Sequence, residues 1–190
     1  MTKTETSRVY GGQSREDRIA ERREKLMQAA ATLYGRAGTA GASVTAICAE
    51  AGLTPRYFYE SFASREALLL AVFQRVCERL ATQVEAAFDP KDPSGSSLTA
   101  FFTLLVEHPQ LARVFLVEVD HHDAEMRTVG RALLERLSAM FTPDAAGPLA
   151  RVGAIGAIFR IARIWVEGGE RESVAALVAL SRRFVAAAGR

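Results

Sequence analysis

The sequence has little of what a disulfide-stabilised or metal-binding protein needs. Its 190 residues include two cysteines and three histidines. Cys48 and Cys77 each fall inside an apolar helical pattern, which favours small buried thiols in a reducing cytoplasm over a disulfide framework. We therefore predict two free thiols and a cytoplasmic protein.

Long apolar runs are also missing. The longest stretch without a charged residue, residues 93–106, is interrupted by serine and threonine and is shorter than the roughly 20 apolar residues of a membrane span. Residues 1–18 are rich in threonine, serine, glycine and charge and lack the apolar core of a signal peptide. The sequence thus predicts no membrane partner and no export, and we expect residues 1–15 to form a disordered arm.

The alternation typical of strands is absent as well, because every segment with a readable period repeats at three or four residues. This pattern predicts an all-α fold of about nine helices, in which residues 89–97 and 142–148 are the clearest loops. The longer helices are expected at about residues 16–37, 64–88, 98–107, 109–121, 123–141, 149–167 and 171–188.

Positive charge is scarce overall but unevenly placed. The chain has 24 Lys and Arg against 22 Asp and Glu, a net charge of +2. Residues 1–65 carry 10 basic and 7 acidic side chains (+3), and the rest carry 14 and 15 (−1). Any basic surface is therefore concentrated in the first third of the chain.

Three helix starts follow one another in this basic third. Ser43 is placed as the N-cap of a helix of about two turns that Gly52 ends, Thr54-Pro55 opens a second short helix, and Ser64 opens a long one. Two short helices joined through a glycine after a longer helix are the outline of a helix-turn-helix, whose second helix enters the DNA major groove. With Leu53, Phe58 and Phe62 packed inward, an outer face of hydroxyls and one guanidinium remains, which suits contacts with phosphates and bases.

Residues 23–73 resemble the DNA-binding domain of TetR/AcrR-type transcriptional regulators. The matching motifs are the hydroxyl of Ser43, the Ala-Gly turn at 51–52, the apolar-Tyr-x-x-Phe run at 58–62 and the basic-acidic-x-Leu opening at 65–68. The resemblance implies a three-helix DNA-binding domain at 16–65 and a ligand-binding and dimerisation domain at 66–190.

The resemblance also assigns roles to single residues. It implies that Ser43, Tyr59 and Arg65 contact phosphates and that Thr54 caps the recognition helix. Thr45, Arg56 and Tyr57 are expected to approach bases or the adjoining backbone, and the predicted DNA-binding set further includes Pro55 and Ser61. The family commonly has Lys at position 65 and His at position 61, where this chain has Arg and Ser.

Structural alternatives exist for each of these residues. Ser43 and Thr54 can be helix caps alone, the two tyrosines can pack against the first helix, and Arg56 can be a solvated charge. In the first helix, Arg18, Arg22, Arg23 and Lys25 alternate with Glu21 and Glu24, so a solvated face is the better interpretation for most of them.

For the second half, the resemblance implies a homodimer formed by the last two helices and a small-molecule effector. Residues 151–166 are apolar around most of the helix and rich in glycine and alanine, which permits close helix packing. In the last helix we assign a face to the partner: Val174, Leu177, Val178, Leu180, Phe184 and Val185. A buried helix of a monomer would show the same pattern.

A ligand cavity is predicted from apolar side chains that would equally fill a helical core. The candidates are Phe101, Phe102, Leu105, Phe115, Val119, Phe159, Arg163 and Trp165. Arg160 and Arg163 lie one turn apart and can hold an acidic ligand group, pair with Glu167 or pair across a dimer.

One cluster suggests chemistry instead of DNA binding. Glu118, His121, His122 and Glu125 can form a metal site or an acid/base pair in a helical enzyme or carrier. Adjacent histidines, however, point about 100° apart on a helix and serve one ion poorly. The sequence contains no phosphate-binding glycine loop and no nucleophile elbow, so we expect that the protein is not an enzyme and binds no metal or cofactor. The resemblance instead predicts a ligand-responsive DNA-binding repressor.

Overall fold

The computed structural model of the protein describes residues 14–117, 124–143, 147–169 and 171–189. These ranges contain nine helices and no strand, so the predicted all-α fold is confirmed for the described chain. The helices are α1 (Arg15–Gly41), α2 (Val44–Ala51), α3 (Pro55–Ser61), α4 (Arg65–Ala86), α5 (Pro93–Glu107), α6 (Pro109–Val117), α7 (Ala124–Phe141), α8 (Pro148–Glu167) and α9 (Val174–Ala188).

The helix ends in the first third follow the predicted caps. The hydroxyls of Ser43 and Ser64 each accept a hydrogen bond from the backbone amide three residues later, which satisfies an otherwise unpaired N–H group. Gly52 ends α2 in the left-handed conformation, with φ 65° and ψ 32°. Gly38, where the first helix was predicted to stop, interrupts α1 with φ 71° and ψ 172°.

The predicted loop at 89–97 is wrong in its second half, because α5 begins at Pro93 instead of Leu98. Asp92 is the N-cap, and its carboxylate accepts from the amide of Gly95 at 3.3 Å, while Pro93 occupies a position where a missing N–H costs nothing. At the last helix, Ser173 caps α9, which therefore begins at Val174 and not at 171.

Two helices connect the N-terminal and C-terminal halves. α4 packs against α1, α5, α6 and α7, and α6 packs against α1, α4, α5 and α8. Buried apolar residues of all these helices form one continuous cluster. On the surface, Arg136 of α7 joins α4 through Glu78 at 2.7 Å and Glu85 at 2.9 Å. A displacement of α4 or α6 therefore changes packing contacts in both halves.

Cys48 and Cys77 are buried and free, as predicted. Burial raises the pKa of the Cys77 thiol to about 12, and the neighbouring Glu78 carboxylate acts in the same direction. Burial also raises the pKa of Cys48. At neutral pH both thiols are therefore protonated side chains of the core.

None of the helices in the described ranges is long and apolar enough to cross a lipid bilayer.

Candidate nucleic-acid interface and ligand cavity

The short helix α3 is attached to α1 by Arg23. One nitrogen of its guanidinium donates to the backbone carbonyl of Ser61 at 2.9 Å. The same guanidinium lies 4.0 Å from the centroid of the Phe62 ring, close enough for a cation–π interaction. Since Ser61 and Phe62 are the last residue of α3 and its C-cap, Arg23 fixes the C-terminal end of the helix.

Arg22 makes a second attachment one position earlier. Its guanidinium lies 4.4 Å from the centroid of the Tyr57 ring and 3.5 Å from the Glu60 carboxylate. The interpretation of this part of α1 as a solvated face is therefore wrong for Arg22, which is half-buried. Arg23 is exposed but contacts α3, and Lys25 pairs with Glu21 in the manner expected of a solvated face.

The predicted DNA-binding residues lie at the surface around the starts of α2, α3 and α4. Seven of the nine are exposed and two are half-buried, which leaves room for DNA contact at most of them. The exposed ones are Ser43, Thr45, Thr54, Pro55, Arg56, Tyr59 and Arg65, and the half-buried ones are Tyr57 and Ser61. Tyr59 exposes 62% of its surface, which is unusual for a large aromatic side chain that serves only packing.

The hydroxyl groups of this surface differ in the hydrogen bonds that they form. Ser43 caps α2, and the Ser61 hydroxyl donates to the carbonyl of Tyr57 at 3.0 Å. Thr54 occupies the N-cap position of α3, but its side chain makes no capping hydrogen bond. The expectation that Thr54 caps the helix through its hydroxyl is therefore wrong, and that group stays exposed at the helix start.

The two basic side chains of the surface are held differently. Arg56 is 84% exposed at its side chain and pairs along the helix with Glu60 at 3.2 Å. Arg65 donates to the backbone carbonyl of Thr39 at 3.4 Å and lies 3.6 Å from Glu66. The carbonyl of Thr39 thus ties Arg65 to the end of α1, whereas Arg56 is tied only to its own helix.

A cavity of about 750 Å³ lies between α4, α6, α7 and α8. Its apolar lining consists of Phe73, Phe115, Leu116, Gly130, Leu134 and Phe159. Its polar lining consists of Arg127, Arg131, Arg160 and Arg163. The volume is within the range of small-molecule sites.

Three of the residues predicted for a ligand site line this cavity: Phe115, Phe159 and Arg163. Phe101, Phe102, Leu105 and Trp165 do not line it and are buried in the core. Val119 lies outside the described residues. The sequence reasoning missed Phe73 and the α7 residues, although the spacing of Arg127, Arg131 and Leu134 places them on one helix face.

The alternative metal cluster cannot be placed, since Glu118, His121 and His122 lie outside the described residues. Glu125 is exposed at the start of α7. Among the described ranges, no group of histidine, cysteine, aspartate and glutamate residues is arranged to hold a metal ion.

Residues 26–72 match the model of the bacterial regulatory proteins of the tetR family. This segment belongs to the TetR family. The resemblance noted in the sequence is confirmed, and regulators of this family are generally DNA-binding proteins without enzymatic activity.

Solved structures extend the likeness over most of the chain. The fatty acid degradation regulator FadR from Bacillus halodurans is 19% identical, with a TM-score of 0.73 over 86% of this chain and 94% of that one. A tetR-family regulator from Streptomyces coelicolor is 20% identical, with a TM-score of 0.72 over 88% and 80%. FadR from Bacillus subtilis in complex with stearoyl-CoA is 21% identical, with a TM-score of 0.68 over 88% and 98%. The fold is therefore that of a TetR-family transcription regulator.

Proposed function

We propose that the protein is a cytoplasmic, ligand-responsive repressor that binds a palindromic operator as a homodimer and leaves it when a small molecule binds. The observation that carries this proposal is the polar, exposed face of α3, held on α1 by Arg22 and Arg23. A helix that enters the major groove needs a fixed orientation, and these two contacts supply it.

At the DNA, residues 16–65 act as the reading domain. Ser43, Tyr59 and Arg65 contact phosphates, while Arg56 and the free hydroxyl of Thr54 approach base edges at the start of α3. A guanidinium can bind guanine through two hydrogen bonds, and a hydroxyl serves either type of base.

Residues 66–190 form the dimerisation and ligand domain in this proposal. The outer faces of α8 and α9 carry several exposed apolar side chains, namely Leu149, Val152, Ile164, Leu180 and Phe184. Exposed apolar side chains on these two helices favour association with a second copy. Leu177, which the sequence assigned to the partner, is buried in its own chain, at 4% exposure.

Release of DNA is explained by the two helices that connect the halves. Phe73 of α4 and Phe115 of α6 both line the cavity, and both helices pack against α1. A ligand that separates these rings displaces helices that are in contact with the DNA-reading domain. The B. subtilis FadR structure, which contains stearoyl-CoA, supports the idea that this fold accommodates a small molecule.

The test is selection of bound sequences from a random DNA pool by the purified protein, followed by gel-shift titration. We expect a two-fold symmetric site bound by a dimer, with half-sites about one helical turn apart or somewhat more and an affinity that falls as salt rises. If folded and dimeric protein enriches no sequence above the starting pool, the proposal is contradicted.

A further inference from the structure

The cavity between α4, α6, α7 and α8 has an apolar floor. Phe73 and Phe115 are buried, and their rings stack with centroids 6.2 Å apart. The Phe115 ring also meets Phe159 edge to face at 5.6 Å. Gly130 borders this floor, and a Cβ atom built there would make an ordinary contact with the tip of the Phe73 ring at 3.8 Å.

The rim of the same cavity is cationic. Arg127, Arg131 and Arg160 are exposed, and Arg163 is held by Glu167 at 3.2 Å. Among the described lining residues, none is acidic. The side chains of Arg131 and Arg160 form no ion pair or hydrogen bond with any described residue.

Guanidinium groups above a cluster of aromatic rings match a molecule with an anionic head and an apolar body. A carboxylate, sulfonate or phosphate can accept two parallel hydrogen bonds from one arginine, while a chain or ring buries its surface against the phenylalanines. The described lining brings four cationic side chains beside these aromatic rings.

We infer that the effector is an amphipathic organic anion, with its charged head on Arg131 and Arg160 and its apolar body on Phe73, Phe115 and Phe159. This inference rests on the proposed function, because it names the ligand class of the proposed effector site. The experiments that test it measure ligand binding and do not require DNA.

Two fluorescent probes of matched shape test the charge. 1-Anilinonaphthalene-8-sulfonate carries an anionic group, and N-phenyl-1-naphthylamine has the same rings without it. We expect the sulfonate to bind once per chain and to lose about tenfold in affinity in Arg131→Gln, since a charge-assisted hydrogen bond is removed. The neutral probe should bind equally well to both proteins.

Arg160→Gln should repeat this result in protein shown by sedimentation to keep its oligomeric state, because Arg160 lies on the outer side of α8. Arg113→Gln, an exposed arginine of α6 outside the lining, is the matched control and should leave both affinities unchanged. Gly130→Leu and Leu134→Trp fill the cavity and should reduce binding of both probes at least tenfold.

Displacement of the sulfonate probe then shows which charged head group the cavity prefers and whether the ligand also needs an apolar body. Decanoate and decyl phosphate distinguish a carboxylate from a phosphate head, and displacement by either supports the inference. Decanol, which lacks the charge, and inorganic phosphate, which lacks the body, should displace at least tenfold less well.

Equal binding of the neutral and anionic probes, or an unchanged sulfonate affinity in both arginine variants, would overturn the inference. Either result leaves operator selection intact, so it does not affect the proposed DNA-binding role. Conversely, protein that binds the anions as expected but selects no DNA sequence refutes the proposed function alone.

Discussion

The guanidinium of Arg23 in α1 lies 4.0 Å from the centroid of the Phe62 ring, and Phe62 directly follows the last residue of α3. The same group donates to the Ser61 carbonyl. In the proposed function, the orientation of the DNA-reading helix α3 therefore depends on a side chain that need not touch DNA itself.

Arg23→Ala is expected to weaken operator binding about tenfold by loosening α3, because it removes a charge-assisted hydrogen bond and a cation–π contact. The salt dependence distinguishes this positioning role from a phosphate contact. The slope of log affinity against log salt should stay unchanged in Arg23→Ala, whereas Arg65→Gln should reduce it by about 2 for a dimer.

Lys25→Ala is the matched control for Arg23→Ala, because Lys25 is an exposed cation of the same helix that pairs only with Glu21 among the described residues. Its operator affinity should stay within about twofold of the parent protein. A reduced salt slope in Arg23→Ala would show that Arg23 contacts phosphate directly.

Glu60 restrains the guanidinium of Arg56 on the surface of α3 by an ion pair. The two side chains pair at 3.2 Å, and Glu60 also lies 3.5 Å from Arg22. Glu60→Gln should therefore strengthen binding to random-sequence DNA several-fold at low salt, since a carboxylate facing phosphates is removed and Arg56 is released.

The double variant Glu60→Gln/Arg56→Ala isolates the contribution of Arg56 to that gain. If Arg56 supplies it, the double variant should lose most of the increase while unfolding at the same temperature as the single variant. Arg56→Ala alone should relax operator selectivity without loss of folded protein, and unchanged selectivity would remove Arg56 from the reading role.

The sequence predicted the caps of α2 and α4 and the helix-turn-helix because these depend on residues adjacent in the chain. Ser43, Gly52 and Ser64 act as expected, since each interacts with backbone within about four residues of itself. The contact between Arg23 and Ser61 spans 38 positions. Charge alternation in α1 carries no information about such a contact.

The candidate ligand cavity likewise depends on contacts between residues that are distant in sequence. Aromatic residues at helical spacing indicate burial, but they do not tell which rings border empty space and which meet other rings. Phe101 and Phe159 illustrate this, because their rings lie 5.4 Å apart, yet only Phe159 borders the cavity. The difference depends on the packing of four helices that are distant in sequence.

Gly35 is a point of close approach between α1 and α6. A Cβ atom built at Gly35 would lie 2.7 Å from the Cα atom of Gln110, a distance that real Cβ atoms do not show. Gly35→Ala should therefore force the two helices apart and lower the free energy of unfolding by about 1–3 kcal/mol, measured by urea denaturation.

Gly130→Ala provides the opposite case at a second helical glycine. Its new methyl group would meet the tip of the Phe73 ring at 3.8 Å, an ordinary contact, while alanine lowers the entropy cost of the helix. The free energy of unfolding should rise by about 0.5–1 kcal/mol. A loss of stability of the same size as in Gly35→Ala would show that Gly130 is closely packed instead of bordering free space.

Alkaline pH should destabilise the protein through two buried acids. Burial raises the pKa of Tyr34 to about 12, with the Arg65 charge acting in the opposite direction, and the pKa of Cys77 is also raised to about 12. In the unfolded chain these groups lose their protons near pH 10 and near pH 8.5–9, respectively. The folded state then holds more protons than the unfolded state, so the stability that is fully present below about pH 8.5 is lost as pH rises towards 12.

Tyr34→Phe separates the contribution of Tyr34 from that of other groups. The Tyr34 hydroxyl is buried and has no hydrogen-bond partner among the described residues, so at pH 7 the variant should be as stable as the parent protein or slightly more stable. Between pH 10 and 12 its free energy of unfolding should fall less steeply with pH, by up to one proton in the linkage slope. Urea denaturation at a series of pH values measures this slope, and identical slopes in the two proteins would show that Tyr34 ionises as readily when folded as when unfolded.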